Sequence, residues 1–135
     1  LLIYSKESIM KTILVDAYKT FVFDGKVFDE MYQLLEKYPN PKIILTNAND
    51  EEIKMLGLVN LPYELYSLKH KPDKTDPAFF EKLLKDKNLI PEDFVYFEHT
   101  PEAVESASTI GIVSYYYDDR IKNLYALDKF LRENL

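Results

Sequence analysis

The chain has 135 residues, 47% of them hydrophobic and 30% charged, the size and balance of one compact domain rather than of a disordered segment. Its formal net charge of −6 argues against nonspecific binding to nucleic acid or to an anionic membrane surface. With no cysteine, disulfides, thiol catalysis and thiolate metal sites are excluded, and no stretch approaches the roughly 20 apolar residues of a membrane span.

Residues 1–10 read as an N-terminal extension or arm. Their charges interrupt the apolar residues, and no small-residue cleavage site follows, so residues 1–9 do not read as a signal peptide. A cytoplasmic location is the expectation. Residues 11–135 read as a single domain. The run 12–16 is a buried strand that ends on Asp16. Phe28, Met31, Leu34, Leu35 and Tyr38 recur at helical spacing until Pro39-Asn40-Pro41 stops the helix. Residues 42–45 form a short second strand with Thr46 at its polar end. Asn49 and Glu52 give a capping-box pattern for a helix that turns Ile53 and Leu56 inward and stops at Gly57.

Residues 63–68 are a weaker strand. Asp76-Pro77 is a cap followed by a first-turn proline, and Phe79, Phe80, Leu83 and Leu84 give that helix its buried stripe. Residues 94–97 are the next strand, leading into Glu98-His99. Thr100-Pro101 opens a helix that packs through Ala103, Val104 and Ala107 and ends at Gly111. Residues 112–116 are a further strand. Asp118 or Asp119 then opens a last helix carrying Ile121, Leu124, Leu127 and Leu131. Strands alternating with helices of this length predict an α/β fold with a mostly parallel sheet.

Asp16, Thr46 and Glu98 each end a predicted strand, so they converge on one edge of such a sheet, and Lys74 precedes a helix start. A carboxylate nucleophile, a hydroxyl, an ammonium and a second carboxylate together suit a phosphoryl group. Asp16 is the candidate nucleophile, and Thr46 and Lys74 are candidates to hold the phosphoryl oxygens. Asp16 and Glu98 are candidates to share Mg²⁺, a hard cation that takes oxygen ligands. Lys71 is the runner-up to Lys74. His99 reads as a rim histidine, Tyr115-Tyr116-Tyr117 as strand and rim, and the basic run of Lys69, His70, Lys71 and Lys74 as a solvated loop.

The order of these motifs resembles the haloacid dehalogenase (HAD)-like hydrolase superfamily, most of whose members are phosphatases. Asp16-Ala17-Tyr18-Lys19-Thr20 is similar to the family's Asp-x-Asp-x-Thr motif, and Asp24 matches a recurrent aspartate. Leu45-Thr46-Asn47 resembles the second motif and Lys74-Thr75-Asp76-Pro77 with Phe80 the third. The segment 95–102 resembles the fourth. The resemblance implies a three-layer Rossmann-like core over residues 11–135. The interval between Asp16 and Thr46 has room for a loop and one helix but not for a cap domain.

The sequence departs from that pattern in its chemistry. Tyr18 stands at the acid–base position, and a tyrosine with an ordinary pKa near 10 is a poor proton shuttle at neutral pH. Lys19 replaces a glycine, and Glu98-His99 replaces an aspartate pair. The implied metal set is Asp16, the Tyr18 backbone carbonyl and Glu98, with Mg²⁺ weak or absent. Three functions follow as expectations: a weak Mg²⁺-dependent phosphatase using Asp16, a catalytically silent HAD-like binding domain, or a dehalogenase-like hydrolase. The dehalogenases have tyrosine at the same place and need no metal, but they use a cap and a cap-region arginine. A phosphorylated small molecule or macromolecule is the expected partner, and an open site would favour bulky substrates or closure by homo-oligomerisation.

Overall fold

A computed structural model describes residues 10–135, so all of the expected arm at residues 1–10 except Met10 lies outside the described residues. Strand β1 (Thr12–Asp16) is buried along its whole length and sits in the middle of a five-stranded sheet. It is flanked by β4 (Lys42–Thr46) on one side and β6 (Phe94–Glu98) on the other. The edges are β5 (Glu64–Ser67) and β7 (Val113–Tyr116), giving the order β5-β4-β1-β6-β7. All four pairings are parallel. The chain leaves β1 toward one edge and later returns to its other side, so the carboxyl end of β1 is a topological switch point, where such sheets open a crevice.

Period-two alternation divides the side chains between two cores. Ile13, Val15, Ile44, Val95 and Phe97 face one side, where Met31 and Leu35 of α1 (Asp29–Glu36) and Leu127 and Leu131 of α5 (Leu124–Asn134) cover them. Ile53 and Leu56 pack at the edge of that core, from α2 (Asp50–Met55) and the residue after it. Leu14, Ile43, Leu45, Phe94 and Tyr96 face the other side, against Phe79, Phe80 and Leu83 of α3 (Pro77–Lys87) and Ala107 of α4 (Pro101–Thr109). The result is the three-layer α/β architecture that the family resemblance implies, with the mostly parallel sheet that the strand–helix alternation predicts.

The local signals explain the helix starts. Asn49 and Glu52 form the reciprocal capping box. Asp76 accepts from the Ala78 amide with Pro77 in the first turn. Thr100 holds the N-cap position of α4 but makes no side-chain cap bond; its amide donates to Glu98 instead.

Two elements differ from the sequence reading. The last helix starts at Leu124, capped by Asn123, and not at Asp118 or Asp119. The Asp118 carboxylate closes a local turn by accepting from the Arg120 and Ile121 amides, and Lys122 at φ 54° breaks any helical run. Ile121 is left outside the helix and exposed. The second is a small hairpin, β2 (Val22–Phe23) and β3 (Lys26–Val27), which the sequence reading leaves as loop. Asp24 and Gly25 turn it, both at positive φ, as a tight two-residue turn between antiparallel strands requires. Its tip rests on the turn after α2, where a Cβ placed on Gly57 would lie 2.5 Å from the Gly25 Cα. No cap domain is present among the described residues, and no helix there is long and apolar enough to cross a membrane.

Candidate active site

Asp16 ends β1 at the switch point and is 1% exposed. The chain after it turns sharply over the Ala17 carbonyl, which accepts from the Phe21 and Val22 amides. That turn brings Thr20 back, and its hydroxyl donates to Asp16 Oδ2 at 2.7 Å. Lys74 reaches the same carboxylate from the loop before α3 and donates to Oδ1 at 2.7 Å. Its backbone amide is fixed by the Asn47 side chain at 2.6 Å, so the loop after β4 sets the position of the lysine.

Glu98 ends β6, fully buried. Its Oε1 accepts from Lys74 Nζ at 2.8 Å and from the Tyr96 hydroxyl, which lies two residues earlier on the same face of the strand. Oε2 accepts from the Thr100 amide at 3.0 Å. His99 follows with its ring turned inward. Nδ1 bonds Asp16 Oδ2 and lies 3.3 Å from Glu98 Oε2. Its backbone amide donates to Asp16 Oδ2 as well, at 3.3 Å. Burial opposes the ionisation of Asp16, but Lys74 and His99 outweigh it and hold the carboxyl well below the usual carboxylate range. Burial likewise works against charge on Lys74 and His99, and the carboxylates outweigh it: the ammonium is held above its ordinary value, and the imidazole is pushed up to about 10.

Above this cluster opens a cleft of about 200 Å³, whose lining includes Thr46, Tyr18, His70 and Glu52. The structure therefore brings Asp16, Thr46, Lys74 and Glu98 to one edge, as their sequence positions predict. Thr46 Oγ1 accepts from the Ala48 amide at 3.2 Å, which leaves its proton free for a ligand. Tyr18 stands exposed at the rim. Lys71 is exposed, and it is Lys74 that reaches the carboxylates. His99 is not a mere rim residue: it touches both carboxylates. Asp24 belongs to the hairpin turn and does not line this cleft. His70, part of the expected solvated run, bridges Glu52 at 2.6 Å and Asp73 at 2.7 Å over the cleft mouth. Tyr96 and Asn47 were not singled out as site residues, although Asn47 lies beside Thr46 in the second motif.

Asp16, Glu98 and His99 each bring one potential ligand atom within 4.8 Å of the others. The set nevertheless does not fit Mg²⁺. Each of the four carboxylate oxygens already has a protein donor. The space between the two groups holds an imidazole nitrogen, a ligand that Mg²⁺ takes poorly.

A doubly wound parallel sheet with a carboxylate–ammonium cluster at its switch point defines a class, and comparison with solved structures narrows it. A protein from Porphyromonas gingivalis, predicted to be a HAD-like family hydrolase, matches with a TM-score of 0.65 at 12% identity, over 92% of this chain and 98% of that one. The core domain of a protein from Streptococcus pneumoniae, provisionally assigned as a phosphoglycolate phosphatase, matches with a TM-score of 0.60 at 16% identity, over 91% and 96% of the two chains. A HAD family enzyme from Bacteroides thetaiotaomicron, as an aspartate-to-alanine variant in complex with magnesium and inorganic phosphate, matches with a TM-score of 0.59 at 14% identity, over 79% and 93%. No family model and no curated protein matches the sequence. The chain has the HAD-like hydrolase fold.

Proposed function

We propose that the cleft binds the phosphate group of a bulky or macromolecular ligand and has little hydrolytic power. One observation carries this reading: the open cleft presents the Thr46 hydroxyl beside an Asp16 whose two oxygens are both held by donors, while position 18 offers an exposed tyrosine and no carboxylate. Thr46 has a free hydroxyl proton for a phosphoryl oxygen, and Lys74 and His99 offset charge at the floor. Both oxygens of Asp16 are engaged by donors, which lowers their readiness to attack. A phosphate-complexed structure among the similar folds supports the ligand class.

The second reading is a weak phosphatase. Asp16 would attack phosphorus, the phosphoryl group would pass to its carboxylate, and the ester oxygen would leave without an acid to protonate it. The ionised state of Asp16 favours this reading. A dehalogenase-like reaction has less support: Arg120 is exposed on the turn before α5, Arg132 pairs with Asp128, and neither lines the cleft.

Turnover of an aryl phosphate and binding of inorganic phosphate, followed by NMR, separate these readings. Wild-type protein should bind phosphate with shifts centred on Thr46 and Lys74 and turn the ester over barely. General acid–base help is worth about 10²–10⁴-fold, so Tyr18→Asp should raise turnover within that range and Asp16→Asn should abolish it. Brisk turnover that survives Asp16→Asn, or no phosphate binding at all, would sink the proposal.

A further inference from the structure

We propose that His99 takes the place of a divalent cation in this cleft, its ring nitrogen set between the Asp16 and Glu98 carboxylates so that the site is independent of metal. Two carboxylates this close need either a shared proton or a positive group between them. Here they are bridged twice. Lys74 Nζ spans Asp16 Oδ1 and Glu98 Oε1 at 2.7 and 2.8 Å. His99 Nδ1 spans the other pair, Asp16 Oδ2 and Glu98 Oε2. The ring is not free to swing aside at no cost, because the His99 amide is held on Asp16 Oδ2 and the next amide, Thr100, on Glu98 Oε2.

A Mg²⁺ ion entering this space would have to expel the ring, strip donors from both carboxylates and shed several of its own waters, which it does reluctantly. Position 99 follows directly on the end of β6, so a single side chain decides whether the gap between the strand ends holds a ring or an ion. The inference does not depend on the ligand proposed for the cleft, because it is read by metal binding alone.

Calorimetric titration of the full chain with Mg²⁺ tests it, alongside NMR of the histidine rings. Wild type should give no saturable heat through the millimolar range, and the His99 ring signals should stay in place. His99→Asp opens the space and supplies an oxygen ligand, and should bind Mg²⁺ about tenfold or more tightly than wild type. If that variant does not fold, His99→Asn, which removes the ring without adding a charge, should show a gain in the same direction. Saturable Mg²⁺ binding by wild type that moves the His99 ring and is lost in Glu98→Gln overturns the proposal. So does a folded His99→Asp or His99→Asn with no gain.

Discussion

Two clusters of acid and base, one at the floor of the cleft and one centred on His70 at its edge, are built to nearly the same distances. At the floor, Lys74 meets Asp16 and Glu98 at 2.7 and 2.8 Å; at the mouth, His70 meets Glu52 and Asp73 at 2.6 and 2.7 Å. They differ in water. The floor side chains are 8%, 2% and 0% exposed, and those at the mouth 42%, 41% and 44%. Equal geometry therefore does not mean equal energy. Buried charges have lost their hydration and depend on one another, whereas exposed ones keep water as an alternative partner and are screened by salt.

The largest effect should come from breaking the floor. Lys74→Met leaves two carboxylates facing each other without their ammonium, and removing one partner of a buried pair costs about 3–5 kcal/mol. Urea unfolding of the variant measures it. A loss below about 1 kcal/mol would mean that water reaches the floor and that the contrast with the mouth is false.

The pH dependence of the floor sharpens the contrast. His99 holds its proton up to about pH 10 in the folded chain, against an ordinary value of 6.5. A raised folded pKa gives a contribution that is complete below the unfolded value and is lost as pH rises through the folded one. The stability gap between wild type and His99→Gln should therefore be widest below pH 6.5 and close toward pH 10, read from urea midpoints across that range. A gap that closes by pH 7 would leave His99 an ordinary surface imidazole.

The smallest effect belongs to the mouth. Glu52 and Asp73 raise the pKa of His70, but the group is exposed. His70→Ala should move the urea midpoint hardly at all, and any shift should vanish in molar salt. A large, salt-resistant loss would show that this bridge clamps the cleft in a way its exposure does not reveal.

The core of this fold is legible because the short apolar runs in residues 12–16 and 94–97, the mark of strands covered on both faces, and the Asp76-Pro77 start are local signals. Lys74 was separable from Lys71 by its spacing to Pro77 and Phe80. The hairpin is harder, because strands of two residues carry no periodicity; Asp24-Gly25 was its only mark, a turn signature set here between Val22-Phe23 and Lys26-Val27. The start of α5 was misjudged because Asp118 and Asn123 are both cap residues, and only the backbone of Lys122 decides between them. His99 was misjudged for a different reason. Its role depends on a carboxylate 83 positions away in sequence, and no local pattern reports which way a ring at the end of a strand will turn.

The contact of Gly25 with Gly57 bears on how this scaffold could acquire selectivity. Backbone meets backbone there, with no room for even a methyl group on Gly57. Added chain at the hairpin tip would pry it from the α2 turn and loosen the wall of the cleft. New recognition surface has other places to grow around the rim, from α2 or from the loop that carries His70, whose residues Glu52 and His70 line the opening.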